Sequence, residues 1–452
     1  MITGAIKAGN GVANRVRWRI FGLLFGFGFV AYLQQKSITV ASDLMMPDLG
    51  LTQMQIGWLY WAFVLGYTAF QLPGGVIGQR LGARVMFTLI SIVAFLATIL
   101  TPLAPVAFAG TALFGMLLFL QLVLGLAQGP IFPVSSGVME AWFHPRQWAL
   151  VQGLQSMALQ LAAALTPLLV AYLMAAFGWQ RALFWPALPA LALIALWGWY
   201  GRNSPAEHPA VTPAEIAELD AESIAQAQTA ISWRRLGCLL TNRSVVLLSV
   251  SYICMNYVFY LIANWCFLYL VQERHFGILE GGWMASAPPL AAALGAGIGG
   301  KIAADLCAKF GVRWGFRLTP LVALPVAGAL LLVAVYAGSP YGAVLALALC
   351  YGVIELTEGS YWAATMFVAR TDTMSATGIL NTGGNIGGLI GIPIVAYLSG
   401  HGEWTAAFVL GTAFALAGAV AWLGIDTTQR FGDEPDSGEA RRADPAISSA
   451  AL

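Results

Sequence analysis

Two glutamates stand three residues apart in an otherwise apolar stretch, Glu355 and Glu358 within Gly352-Val353-Ile354-Glu355-Leu356-Thr357-Glu358-Gly359. On a helix this spacing places both carboxyls on one face. Away from water, like charge and desolvation leave such a pair holding one proton between them near neutrality, which is the chemistry of a proton carrier. The same spacing also suits purely structural polar groups satisfied by hydroxyl or backbone donors, with Gly359 permitting a packed kink. Lys36 is the third ionisable residue in apolar surroundings. Its ammonium can hold a carboxylate as a point charge, reach a surface on its long stem, or pair with one of the glutamates. No phosphate loop of the G-x-x-x-x-G-K-S/T kind is present, so ATP is not expected to drive any process here. Nor is there a nucleophile motif, a metal-ligand cluster or a haem-ligating pair; no enzyme, metal or cofactor is expected. The five cysteines (Cys238, Cys254, Cys266, Cys307, Cys350) are scattered, mostly in apolar runs, and read as buried small residues.

The elements that must position these groups follow from composition. Of 452 residues, 59% are hydrophobic and 10% charged, with a mean hydropathy of +0.75. A soluble domain carries about 25% charged residues, so most of this chain must be solvated by lipid, and a soluble enzyme is excluded. A net charge of +1 gives no argument for nucleic acid. About 20 apolar residues span the hydrocarbon as a helix, and twelve runs of that order occur: 18–41, 55–77, 84–103, 106–138, 147–173 and 178–200, then 244–271, 281–304, 316–338, 342–369, 374–399 and 403–424. Arg80, Arg84, Arg146, Arg202, Arg234, Arg235, Arg243, Lys301, Lys309, Arg313, Arg317 and Arg370 fall on the side of the N-terminus. Basic loops mark the cytoplasm, so both termini are expected inside. A polar connection, 201–243, divides the chain; within it Thr212-Pro213-Ala214-Glu215 has the form of a capping box opening a short acidic helix to Gln228. The predicted division is an N-terminal stretch 1–17, a six-helix bundle 18–200, the linker 201–243, a second bundle 244–424, and a disordered tail 425–452. Gly-rich basic turns recur at the same place in each half, at Gly74 to Arg84 and at Gly299, Gly300, Lys301, Asp305, Lys309, Gly311 and Arg313. Two repeated six-helix units are the plan of many transporters.

These residues resemble the major facilitator superfamily, whose loop between helices two and three reads G-x-x-x-D-R-x-G-R-R/K. Gly75, Arg80, Gly82 and Arg84 match; Gln79 stands for the Asp and Ala83 for one basic residue. Finer features resemble the anion:cation symporter branch, which carries sugar acids and other organic anions. They are Tyr32, Ile38 and Ala41 in helix one; Phe63, Tyr67, Gln71, Pro73, Gly74 and Gly75 in helix two; Gly125, Leu126, Pro130, Phe132 and Pro133 in helix four. Trp142 and Phe143 follow, then Pro205, His208, Pro209 and Glu215 in the middle loop, and Trp265, Tyr269 and Leu270 in helix seven. Helix eleven gives Gly378, Asn381, Gly384, Asn385, Gly387, Gly388 and Pro393. Where the branch has an Asp-Arg pair on helix one and an Arg and Glu on helix four, this chain has Gln34, Gln35, Gln121 and Gln128. A glutamine neither exchanges a proton nor gives an anion a full countercharge, so those roles do not carry over.

The resemblance implies an all-α integral membrane protein, with twelve transmembrane helices in two pseudo-symmetric six-helix bundles around a central site. Because helices one and four line the cavity in this superfamily, the four glutamines become candidate ligands for hydroxyls, amides or a hydrogen-bonded carboxylate; interhelical hydrogen bonding explains them equally well. Tyr32, Lys36, Tyr67, Asn256, Tyr260, Trp362, Asn381 and Asn385 are the further expected substrate contacts, Glu355 and Glu358 the proton-coupling pair, and Gly75, Arg80, Gly82, Arg84 and Asp305 the conformational-gating loops. The expected function is secondary transport of a small polar metabolite, most often an organic acid in this branch, with or without a proton. A transporter of neutral compounds, favoured by the glutamines, is the rival. A receptor that binds without moving its ligand is the alternative from another class, although linker and tail are too short for a folded output domain. The expected setting is a bacterial inner (plasma) membrane, and the expected partners are a small-molecule substrate, lipid and protons, with the protein a monomer.

Overall fold

The structure, a computed structural model, describes residues 10–212, 216, 232–428 and 431. Every described element is helical, as hydrocarbon demands of a chain whose backbone groups must be satisfied within their own segment. The first half contains α1 (Asn10–Leu49), α2 (Gln53–Leu81), α3 (Ala83–Ala107), α4 (Gly110–Trp142), α5 (Trp148–Phe177) and α6 (Trp179–Tyr200). The second contains α7 (Arg243–Gln272), α8 and α9 as the two parts of Ala287–Tyr336 before and after Gly311, α10 (Pro340–Ala369), α11 (Thr373–Gly400) and α12 (Trp404–Trp422). By length and apolarity alone ten helical stretches qualify as membrane crossings. The stretch holding α8 and α9 counts once there although it turns at Gly311 (φ 76°), and α2 is diluted by glutamine, tyrosine and tryptophan. The bundle is an integral, multi-pass membrane protein, and large apolar side chains such as Leu168, Leu294, Leu345 and Val420 face outward, where lipid solvates them.

The repeat read from the sequence is visible in the packing. Gly82 (φ 82°) turns the chain between α2 and α3 as Gly311 does between α8 and α9, a conformation that a Cβ would strain. Arg80 and Arg84 flank the first turn at the same spacing as Lys309 and Arg313 flank the second. Within the halves α1 pairs with α5 and α2 with α4, as α7 pairs with α11 and α8 with α10. Between the halves α2 meets α11 and α5 meets α8, the exchange a pseudo-twofold axis requires. Glycines set these distances: a Cβ on Gly125 would lie 2.1 Å from the Phe63 carbonyl oxygen, and one on Gly295 would lie 2.0 Å from that of Gly352. Small residues at such crossings let helix backbones approach.

Some boundaries differ from expectation. α1 begins at Asn10, inside the stretch read as a free N-terminus. The predicted acidic helix of the linker falls, apart from Thr212 and Ile216, outside the described residues. The linker helix that is described lies later, at Trp233–Thr241, capped by Ser232 accepting from the Arg235 amide. Cys238 on it is exposed rather than buried; an amphipathic surface helix leaves its outer face in solvent. The expected tail is held at its start: Ser244 Oγ donates to the Asp426 carbonyl (3.1 Å) and the Arg317 guanidinium to that of Ile425. Asp426, beyond the last helix, is kept below the usual carboxylate range, first by the Thr428 hydroxyl that donates to it. Linker, described N-terminal end and described C-terminal residues thus share one face of the bundle, called here the linker face.

Candidate functional site

Between the halves lies a cavity of about 700 Å³. α1 contributes Tyr32, Gln35, Lys36 and Thr39; α2 contributes Tyr60, Trp61 and Tyr67; α4 contributes Gln121 and Phe132. From the second half come Tyr252, Asn256, Tyr260 and Asn264 on α7, Glu355, Glu358 and Trp362 on α10, and Asn381 and Asn385 on α11. The cavity's lining reaches Gly57, Asn264 and Pro393, near the helix ends away from the linker face. Side-chain hydrogen bonds join the halves from Glu355 to Asp372, toward the linker face, and among the described residues the molecule is closed on that face and open on the other.

Both glutamates are buried, at 1% and 6% exposure. α10 is interrupted between them at Leu356 and Thr357, where its backbone bonds shorten to three-residue turns. Glu355 takes its hydrogen bonds from the other half: Ser156 Oγ donates to Oε2 (3.0 Å) and Gln160 Nε2 to Oε1 (2.9 Å), both from α5. Glu358 is served by its own half, Tyr252 OH donating at 3.1 Å and Trp362 Nε1 at 2.7 Å. Buried carboxyls are tolerated only when so satisfied. Lys36 makes no hydrogen bond or ion pair among the described residues; its Nζ lies 5.4 Å from the centroid of the Tyr32 ring, a favourable placement for a cation over a π face. It is the one cation among the described residues lining the cavity.

The glutamines separate into two kinds. Gln35 and Gln121 line the cavity. Gln34 and Gln128 do not: Gln128 Nε2 donates to Gln34 Oε1 at 2.8 Å, a buried bond tying α4 to α1. The remaining expected contacts, Tyr32, Lys36, Tyr67, Asn256, Tyr260, Trp362, Asn381 and Asn385, all reach the cavity wall. A polar face of α5, Gln152, Gln155, Ser156 and Gln160, also reaches it and was not anticipated. Its spacing of three, one and four residues is a helical stripe within an apolar segment, a signal the sequence does carry.

The residues expected to gate the conformational change have different surroundings. Gly75 lets α2 meet α11, since a Cβ there would lie 2.3 Å from the Met374 carbonyl oxygen. Arg80 lies 5.6 Å from the Trp233 ring of the linker helix. Arg84 stays within its half, its amide donating to Asn203 Oδ1 (2.8 Å) and its guanidinium to the Gly198 carbonyl (2.8 Å). Asp305 pairs with Lys301 one turn away, both well exposed, a contact worth little by itself. The charge missing at Gln79 is supplied by its neighbour in space: Gln79 Nε2 donates to Asp372 Oδ1 (3.0 Å), Ser375 Oγ donates to Gln79 Oε1 (2.7 Å), and Arg235 of the linker helix pairs with Asp372 Oδ2 at 2.5 Å.

This architecture, two six-helix halves about a polar central cavity, defines a transporter rather than an enzyme. Residues 24–371 match the Major Facilitator Superfamily, and the chain belongs to that family. It is 28% identical over 95% of its length, and 99% of the relative's, to the protein named "Probable sulfoacetate transporter SauU" of Cupriavidus necator. It is 24% identical to the hexuronate transporter of Bacillus subtilis, covering 88% of this chain and 92% of that one. Among solved structures, the Escherichia coli fucose:proton symporter FucP superposes with a TM-score of 0.68 at 14% identity, over 91% of this chain and all of that one. A bacterial homologue of the iron transporter ferroportin, in an outward-facing state, gives 0.70 at 14% identity, over 90% and 98%. These two share the fold.

Proposed function

We propose that the protein is a secondary transporter of a small organic anion, working by alternating access as a monomer in a bacterial plasma membrane. The observation that carries this reading is Lys36, an ammonium without an ionic partner among the described residues, set in the cavity wall. Lys36 is half-buried; a cation drawn out of water without a counterion is costly, and a substrate carboxylate or sulfonate supplies what it lacks. The names of the relatives, transporters of sulfoacetate and hexuronate, agree with an anionic substrate. Gln35, Gln121, Asn381 and their neighbours orient the bound molecule.

On this reading the linker face is cytoplasmic. Arg80, Arg84, Arg146, Arg202, Arg234, Arg235 and Arg243 lie at it or in the linker, and basic loops favour the inside. The cavity then opens to the outside, as an importer awaiting substrate would.

Glu355 and Glu358 form the proton-coupling pair. A carboxyl that binds its partners across the halves can report its protonation to the closure between them, which a carboxyl bonded within one half cannot. The amide-rich wall favours a second reading, transport of a neutral polar compound. Proteoliposomes separate these cases. Uphill uptake of an organic acid should appear with an inward proton gradient, and Glu355→Gln should abolish it while leaving exchange intact. Failure of correctly folded protein to accumulate or exchange any of a broad panel of organic acids overturns the anion reading.

A further inference from the structure

The anion reading says nothing of how many charges the substrate bears or what body carries them, and the cavity wall speaks to both. We infer that this site selects a monovalent organic anion with an aromatic or similarly flat apolar body, in preference to dianions and polyhydroxylated acids; the inference rests on the organic-anion reading above.

Charge comes first. Lys36 is the one cation among the described lining residues, and two carboxyls, Glu355 and Glu358, share the cavity with it. Whatever protons those carboxyls hold, neither provides positive charge. A substrate with one anionic group therefore finds one partner. A second anionic group finds amides, aromatic rings and the glutamates, and pays the desolvation of a charge with no counterion.

Hydrogen-bonding capacity points the same way. Much of the polar wall is already committed to the protein. Ser156 and Gln160 donate to Glu355, Tyr252 and Trp362 donate to Glu358, and Asn256 Nδ2 donates to the Tyr252 carbonyl. Asn385 is occupied at both ends, donating to the Asn381 carbonyl (2.8 Å) and accepting from Tyr260 OH (2.9 Å). A chain of hydroxyls entering this site must break such bonds or share the side chains of Gln35, Gln121 and Asn264, which make no hydrogen bond among the described residues, and each further buried hydroxyl left unpaired is expensive. Asn381 Nδ2, by contrast, is buried beside the Tyr67 side chain without a well-formed hydrogen bond, a donor suited to one further acceptor on the substrate.

The rest of the wall is ring surface. Tyr32, Tyr60, Trp61, Phe132, Phe259 and Trp362 all face the cavity from both halves. Phe132 and Trp362 stand 6.3 Å apart in a tilted arrangement across the interface between the halves. Such faces and edges favour a flat apolar body with ring-to-ring geometry. With Lys36 over Tyr32, the anionic end and the ring-lined space are adjacent.

The test uses the intact wild-type chain in detergent at neutral pH and compares concentrations giving half-maximal thermal stabilisation. Benzoate is the monoanion probe, terephthalate adds a second charge to the same body, benzamide removes the charge, and D-gluconate and D-glucarate are the polyhydroxylated mono- and dianion. Benzoate should act at a concentration at least about tenfold below terephthalate, D-gluconate and D-glucarate, a difference of about 1.4 kcal/mol or more. Lys36→Gln should erase the preference for benzoate over benzamide, and Lys36→Arg should keep it. Terephthalate or D-glucarate matching benzoate overturns the single-charge inference while leaving the anion reading intact. D-gluconate matching benzoate overturns the aromatic preference alone. A response to benzamide with none to any acid overturns the anion reading itself, and silence from all five overturns this inference.

Discussion

At the scale of single residues, the chemistry divides between groups that face the cavity and groups that hold it together. Gln34 and Gln128 belong to the second kind. Gln128→Leu should lower thermal stability by about 1 kcal/mol, because it leaves Gln34 buried without its partner, whereas changing both to leucine should recover most of the loss; unfolding midpoints of the three proteins in one detergent check this. Glu355→Leu strands two donors, Ser156 and Gln160, and should cost more, about 1–3 kcal/mol. Lys36, Glu355 and Glu358 were legible in the sequence because a charge inside an apolar run is costly and seldom idle. The glutamines were half legible. Their helices are apparent from sequence, but which flank of a helix faces inward depends on its rotation within the bundle, and that is set by packing against neighbours. Gln35 and Gln34 are adjacent in sequence and end on different sides of the same wall. The α5 stripe is legible from its period alone, although no charge marks it.

At the scale of elements, the linker face is held shut by contacts that can open again. Asp372 at the start of α11 accepts from Gln79 of α2 and from Arg235 of the linker helix, so one carboxylate joins both halves and their connection. Asp372→Asn removes that charge. It should raise the rate at which a cysteine at position 375 is labelled by a membrane-impermeant thiol reagent from the linker face, by roughly threefold to tenfold in a background lacking Cys238 and Cys307; an unchanged rate would show that the remaining packing and hydrogen bonds keep the face closed. That packing is close: a Cβ on Gly300 would meet the Ala149 carbonyl oxygen at 2.5 Å, and one on Gly359 would meet the same atom at 2.6 Å. Gly300→Val should therefore wedge α5 from α8 and expose the same cysteine even more. The compensation of Gln79 by Asp372 is not legible in the sequence because the two lie 293 residues apart and meet only through the pairing of α2 with α11.

At the scale of the whole molecule, twelve helices, two halves and a repeat could be read from hydropathy and turn residues, since lipid permits few alternatives. Helix ends were less legible: α1 runs past both of its expected limits, because polar flanks can continue a helix into the interface. The shared face of both described ends gives a simple test. A fluorescent protein that folds only in the cytoplasm, fused to either terminus, should fluoresce, and an alkaline phosphatase fused at the same points should stay inactive; the reverse pattern would invert the cavity. The position of Glu355 carries a last consequence. Its two donors belong to the half that must move away when the linker face opens. On the coupling role proposed above, opening that face with the carboxylate charged would strand a bare ion in the gap, so the step takes the protonated form. On the same role, loss of the proton draws the empty protein back, because the charged carboxylate regains Ser156 and Gln160 only when that face closes again.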